Sequence, residues 1–191
     1  MGKSNVVGRI VRIMKRINSV GPGLRGQRVF EFLPNKVLLD GFEFNLEAPL
    51  DSIFFAPNSS PSLDANRSIV SWSVPDFDSD SFINAPDGAS HFKLVLVSTV
   101  LSDFNYNSLL KSYEPINAAE NETSGVVFSD AILLSGLVGS STSLSIDLGF
   151  ATALLNSVAV ISAIGIIFYQ EINGNLYELA TDNAMRIDSV G

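Results

Sequence analysis

The first pattern along the chain has the period of an α-helix. Between residues 5 and 18, apolar side chains recur at spacings of three and four, which places them on one face of a helix. These side chains are Val6, Ile10, Ile13 and Ile17, with Met14 beside them. Arg9, Arg12 and Arg16 recur in the same way on the opposite face. We therefore predict an amphipathic basic helix that ends before Gly21-Pro22-Gly23, because glycine and proline interrupt helical hydrogen bonding.

From residue 29 onward the period changes to two. Alternation at 29–32, 42–46, 68–74 and 143–148 predicts half-buried strands, and further strands are predicted at 91–101, 125–134, 158–172 and around Met185. Asn173-Gly174 lies between two apolar-rich runs and predicts a type I′ hairpin. Residues 103–124 are predicted to be a polar excursion, and 150–155 a short helix. The pattern indicates an all-β fold, an antiparallel β-sandwich or jelly roll that follows an N-terminal basic amphipathic helical arm.

One uncharged run needs a separate interpretation. Residues 148–170 contain no Asp, Glu, Lys or Arg, and their number is sufficient for a membrane span. Asn156, Ser157 and Ser162 interrupt the run, and its flanks, Asp147 and Glu171, are acidic. Membrane spans favour basic flanks, so a buried segment followed by a core strand is the favoured interpretation. The N-terminus also lacks the apolar stretch of a secretory signal peptide.

Charge divides the chain into two parts. The first 28 residues carry seven cations and no acid, whereas the remaining 163 residues carry all 20 acids and five cations. We predict a basic N-terminal arm at 1–28 and a β-sandwich domain at 29–191. Only 17% of the residues are charged, which suits a surface that is covered by neighbouring subunits or that faces the extracellular medium. The chain has no cysteine, so disulfides and thiolate ligands are excluded.

The candidate chemical sites are few. Asp76, Asp78, Asp80, Asn84 and Asp87 imitate the ligand spacing of a calcium loop. Ser81 stands where that loop needs glycine, and Asp87 replaces its bidentate Glu, so we expect a solvated acidic loop and no metal. His91, the single histidine, begins an apolar strand and is interpreted as structural. We expect no cofactor and no enzymatic activity.

The remaining candidate is an assembly arm. Its residues are Val6, Arg9, Ile10, Arg12, Ile13, Met14, Lys15, Arg16, Ile17, Arg25 and Arg28. The arm could dock on an acidic protein surface, contact nucleic acid through phosphates, or pack on its own sandwich. A membrane surface is not favoured. Because exposed ion pairs are weak, the apolar face is expected to contribute most of the docking energy.

Three segments resemble a known family. They are GRIVRIMKRINSVGPG at 8–23, APDGASHF at 85–92 and FYQEINGNLY at 168–177. Together they resemble a family of Bacteroidota proteins with a Gly/Arg-rich N-terminal arm and a C-terminal β-sandwich domain. The resemblance implies a bacterial or bacteriophage source and a β conformation for residues 158–180. It implies no activity.

The function expected from the sequence is structural. We expect a subunit of a homo-oligomer or of a larger protein shell, such as a virion, whose arm docks on neighbouring subunits. The alternative is a carbohydrate- or receptor-binding module that presents loops 56–67, 75–88 and 103–124. In that alternative Trp72, the single tryptophan, is the first candidate for stacking on a sugar, although its position in the middle of a strand favours core packing.

Overall fold

The computed structural model describes residues 5–191, and the chain is 39% strand and 16% helix. The helices are α1 (Val6–Val20), the 3-10 helix Leu33–Leu38, α2 (Leu50–Ile53) and α3 (Ser79–Phe82). The strands are β1 (Ser62–Leu63), β2 (Ile69–Val74), β3 (His91–Ser102), β4 (Phe104–Asn107), β5 (Ser112–Pro115), β6 (Ser124–Phe128), β7 (Ile132–Leu133), β8 (Thr142–Asp147), β9 (Val158–Ile172), β10 (Asn175–Glu178) and β11 (Ala184–Val190). The predicted β-rich, antiparallel character is confirmed.

The larger sheet is built around one antiparallel pair. β3 and β9 pair from His91↔Tyr169 to Ser102↔Val158 without a shift in register. β6 and β7 pair with the other side of β3, and β10 and β11 pair with the other side of β9. The predicted hairpin joins β9 to β10, and Asn173 and Gly174 both have positive φ, at 53° and 77°.

The first core lies between this sheet and a three-stranded sheet of order β1-β2-β8. β2 alternates between exposed and buried residues, as the sequence pattern predicts, and directs Val70, Trp72 and Val74 into the core. β3 and β9 supply the opposing side chains, among them Phe92, Leu94, Leu96, Ile164, Ile166 and Phe168. Aromatic packing within this core includes Phe54 against Trp72, with ring centroids 6.4 Å apart.

A second core covers the other face of β9 and joins the N-terminal helix to the sheet. Ile17 of α1 is completely buried there, against residues that include Ala159, Ile161 and Ile187. β9 is therefore buried on both faces, which explains why its sequence carries no charge before Glu171. No helix among the described residues is both long and apolar enough to cross a membrane.

A buried carboxylate anchors the segment that closes the second core. Asp103 Oδ1 accepts the backbone N–H of Phe32 at 2.8 Å, and Phe32 packs beside α1. Burial raises the pKa of Asp103, because water no longer stabilises its charge, while the hydrogen bond from Phe32 lowers it.

Several local predictions differ from the structure. Residues 103–124 contain the β4–β5 hairpin, and 150–155 contain no helix. The strand predicted at 125–134 is divided into β6 and β7. Residues 42–46 form a single bridge to β11, Glu43↔Arg186, rather than a regular strand. In these segments long-range packing outweighs local propensity.

Replacing Ile17 with Ala should destabilise the fold by about 2–5 kcal/mol, because it leaves a cavity in the second core. Urea unfolding followed by circular dichroism measures this loss. Val7→Ala is the matched control, since Val7 lies on the same helix and is 70% exposed. It should change the free energy of unfolding by less than about 0.5 kcal/mol. Equal midpoints for Ile17→Ala and the wild type would show that α1 is not part of the folded core.

Replacing Gly174 with Val should destabilise the β9–β10 hairpin by about 1–2 kcal/mol, because a side chain with a Cβ is strained at positive φ. The control is Asn175→Val, which places the same residue at the next position, inside β10. Valine suits a strand, so this control should not lower the melting temperature. The prediction fails if the two variants melt together.

Candidate functional site

The N-terminal helix is defined by local signals at both ends. Asn5 Oδ1 accepts the N–H of Gly8 at 3.1 Å and caps the start of α1. At the other end, Gly21 allows a close approach of two backbone segments, because an added Cβ would overlap the carbonyl oxygen of Val29. The helix therefore ends where the chain turns back on itself.

The segment after the helix, residues 22–28, is called the basic loop here. Its ends are joined by a hydrogen bond from Val29 N to Pro22 O of 2.9 Å. Asn18 Nδ2, in the last turn of α1, donates to Arg28 O at 3.0 Å and to Tyr113 Oη at 3.2 Å. These bonds hold the basic loop against the end of the helix.

The apolar residues of the predicted assembly arm are used inside the chain. Ile17 is buried in the second core, and Val6, Ile10, Ile13 and Met14 pack at its margin. Of the packing alternatives left open by the sequence, the structure places this face on the chain's own sheet. The face that remains for a partner is the opposite, polar one.

Arg9 also serves the fold. Its Nη2 donates to Phe44 O at 3.1 Å, and its guanidinium carbon lies 4.5 Å from the centre of the Phe42 ring. The guanidinium therefore ties α1 to the segment beside β11, through a hydrogen bond and a cation–π contact.

The other described cations of the arm have no such role. Arg12, Lys15, Arg16 and Arg25 are exposed and Arg28 is half-buried; together they are called the basic face. Within residues 5–191, none of their side chains donates a hydrogen bond or lies within 4.0 Å of a carboxylate. By contrast, Arg67 donates to three backbone carbonyls, and Arg186 pairs with carboxylates. The basic face is thus a cationic surface without internal neutralisation.

An acidic groove lies near the second core. It has a volume of about 500 Å³, and Asp40, Glu43, Asp51 and Asp188 line it together with Arg186. Arg186 Nη2 lies 2.6 Å from Asp188 Oδ1, and Asp51 also pairs with this guanidinium. Burial raises the pKa of Glu43, whereas the hydrogen bond from the N–H of Leu50 and the charge of Arg186 lower it by a smaller amount. Four carboxylates face one guanidinium, so the groove is acidic.

The sequence did not predict this acidic groove. Its residues come from three segments of the chain. The pairing of residues 41–44 with β11 and the hydrogen bond from Leu50 N to Glu43 Oε2, next to Asp51, bring them together. The alternation of Phe42, Glu43 and Phe44 indicates that Glu43 points away from the second core, which is the one local signal.

The third notable surface is an open edge of the two sheets. β6 pairs only with β3, and β8 pairs only with β2, among the described strands. Both strands line a cavity of about 590 Å³. Val126, Phe128, Leu133 and Leu137 are exposed around this edge, and β6 contains no charged residue. Unpaired, uncharged edges are surfaces on which another chain can pack.

The predicted calcium loop has another structural use. Asp78 Oδ1 accepts the N–H of Asp80 at 3.0 Å and caps α3, while Asp76 and Asp80 accept the N–H groups of Gly139 and Gly136. Asn84 Nδ2 contacts Ser52 O at 3.5 Å instead. The described residues contain no group of three potential ligands that could hold a metal ion. The aspartates hold the loop to residues 136–139.

His91 and Trp72 have structural contacts. His91 Nδ1 lies 3.0 Å from Ser90 Oγ. The same hydroxyl oxygen accepts the N–H of Glu171 at 2.8 Å and lies 3.4 Å from Tyr169 O. Trp72 is 2% exposed, and its indole N–H donates to Asn58 Oδ1 at 3.3 Å. A buried indole cannot stack on a sugar, so Trp72 packs in the core, as its position in the middle of a strand indicates.

The chain matches no family model, no curated protein and no solved structure. The basic face, the acidic groove and the open edge are therefore argued from their geometry alone.

Replacing Asp78 with Ala should lower stability by about 1 kcal/mol, because α3 loses its N-terminal cap. Thermal unfolding measures the change, with and without calcium chloride. Asp87→Ala is the control, since Asp87 is exposed. We expect calcium to leave the melting temperatures of the wild type and of both variants unchanged. A calcium-dependent rise in the wild type that Asp78→Ala abolishes would contradict the purely structural role.

Proposed function

We propose that the protein is a non-enzymatic structural subunit that assembles with copies of itself. The observation that carries the proposal is the basic face, whose cations have no carboxylate partner within the described chain although the remainder of the protein is strongly acidic. In the proposed assembly, this face docks on the acidic groove of a neighbouring copy. The shell of a virion is one assembly of this kind.

The two surfaces are complementary in charge and differ in position. The basic face and the acidic groove can meet reciprocally in a two-fold dimer, or head to tail in a ring or an open array. A shell requires the head-to-tail arrangement. Exposed ion pairs are worth only about 0–1 kcal/mol each and are screened beyond about 8–10 Å at physiological salt. Charge therefore sets the orientation and rate of association rather than most of its affinity.

The open edge supports the remaining part of the proposal. A stable interface usually buries more than about 1,000 Å² in total, with an apolar centre. The exposed Phe128 and Leu137 supply apolar contact area of this kind, and the unpaired backbone of β6 supplies hydrogen-bonding groups. Both features suit contact with another protein chain.

The finer description of the fold belongs to the same proposal. We propose that the two sheets form a β-sandwich or jelly roll, supported by the first core between them, and that residues 1–28 act as its arm. The resemblance to the arm-bearing Bacteroidota family agrees with this organisation.

The proposal is tested by reversing one charge on each surface. Arg12→Glu reverses the basic face, and Asp40→Lys reverses an exposed position in the acidic groove. Light scattering coupled to size-exclusion chromatography at low salt should show at least about tenfold weaker self-association for each variant, because like charges then meet. Lys111→Glu is the control for Arg12→Glu, since it makes the same change in net charge on the exposed β4–β5 turn.

Mixing the two variants provides the decisive comparison. Each variant keeps the surface that the other has lost, so an equimolar mixture should associate more strongly than either variant does alone. A wild type that stays monomeric at low salt would contradict the proposal. So would an effect of Lys111→Glu as large as that of Arg12→Glu, because association would then depend on net charge alone.

A further inference from the structure

A small cavity separates the basic loop from the last turn of α1. It has a volume of about 390 Å³, and Asn18, Ser19, Arg25, Gly26 and Arg28 line it. The loop is held in place from both sides, by the Val29–Pro22 hydrogen bond and by Asn18 Nδ2 on Arg28 O. The two arginines are thus presented to one cavity by a closed loop rather than by a free tail.

The guanidinium donors of Arg25 and Arg28 have no partner among the described residues. Arg28 Nε is buried and has no hydrogen-bond partner, and no carboxylate lies within 4.0 Å of Arg25 or Arg28 in the described part of the chain. Buried polar groups normally have partners, so an unpaired guanidinium nitrogen requires an explanation. Gly26 has a φ of +85°, and open space surrounds the position of a Cβ there. The turn therefore leaves its own backbone accessible.

From this arrangement we infer that the cavity binds a phosphate-class oxyanion, which Arg25 and Arg28 hold. A guanidinium presents several N–H groups in a planar fork that matches two oxygens of a phosphate. Two such forks have more donors than the two oxygens of one carboxylate can accept, whereas a tetrahedral phosphate offers further oxygens. The cavity also leaves room for a group attached to the phosphate.

The C-terminal end of α1 favours cations and therefore opposes the binding of an anion in this cavity. Helix C-termini carry partial negative charge and attract cations, which on its own would give Arg25 and Arg28 a purely structural role. Ser19 Oγ donates to Arg16 O at 2.7 Å, so one carbonyl near this end of the helix has a side-chain partner. The structural role predicts no affinity for phosphate, so the two readings differ in a measurable way.

The test is calorimetric titration of the full chain with inorganic phosphate at constant ionic strength, with sodium chloride as the blank. Arg25→Gln and Arg28→Gln should each weaken binding about tenfold, as expected for the loss of a charged hydrogen-bonding partner. Arg12→Gln is the matched control, since it removes the same charge from α1 outside the cavity. It should weaken binding by less than about threefold, because its charge acts only through screened solvent.

Co-sedimentation with vesicles identifies the source of the phosphate. Binding to phosphatidylglycerol vesicles that the Arg25→Gln/Arg28→Gln double variant abolishes would identify a lipid headgroup. Phosphate binding without vesicle binding would identify a free phosphate compound.

Two outcomes would overturn the site: no heat of phosphate binding by the wild type, or an equal loss in Arg12→Gln and Arg28→Gln. Circular dichroism confirms that the variants are folded. The assembly proposal is tested at Arg12 and Asp40, and the phosphate site is tested at Arg25 and Arg28, so either test can fail without the other.

Discussion

The structure depends on the burial of one strand on both of its faces. β9 carries apolar side chains toward the three-stranded sheet and toward the opposite side of the larger sheet, and its backbone pairs along both edges. The opposite face would be an exposed apolar surface without a cover. α1 and the segment around Phe32 and Phe42 supply that cover. The N-terminal helix is consequently held to the sheet mainly by the hydrophobic effect, to which Arg9 adds a hydrogen bond and a cation–π contact.

This arrangement decides which cations remain available to a partner. When the apolar side of α1 faces the sheet, the side that carries Arg12, Lys15 and Arg16 must face solvent. Arg9 lies at the margin and is drawn into a hydrogen bond and an aromatic contact. The same packing that stabilises the fold therefore displays positive charge on an otherwise acidic protein.

The three surfaces differ in how they are built. The basic face follows from the periodicity of one helix. The acidic groove follows from the bridge between residues 43 and 186. The open edge is formed where strand pairing ends, at β6 and β8. The cavity beside the basic loop combines helix, turn and hydrogen bonds from Asn18. The basic face and the open edge present groups that lack partners among the described residues, and the acidic groove holds more carboxylates than its one guanidinium neutralises. These properties make the three surfaces candidates for intermolecular contacts.

The sequence alone determined what depends on local spacing. The period of the apolar residues specified α1, the Asn-Gly pair specified the β9–β10 turn, and the distribution of Lys, Arg, Asp and Glu specified a cationic end on an acidic chain. Only the tertiary structure decided that α1 packs on β9, that residues 103–124 contain a hairpin, and that Glu43, Asp51 and Asp188 share a groove with Arg186. These features come from contacts between distant parts of the chain. The free energy of such contacts exceeds that of local propensity, and the contacts leave no periodic signal in the sequence.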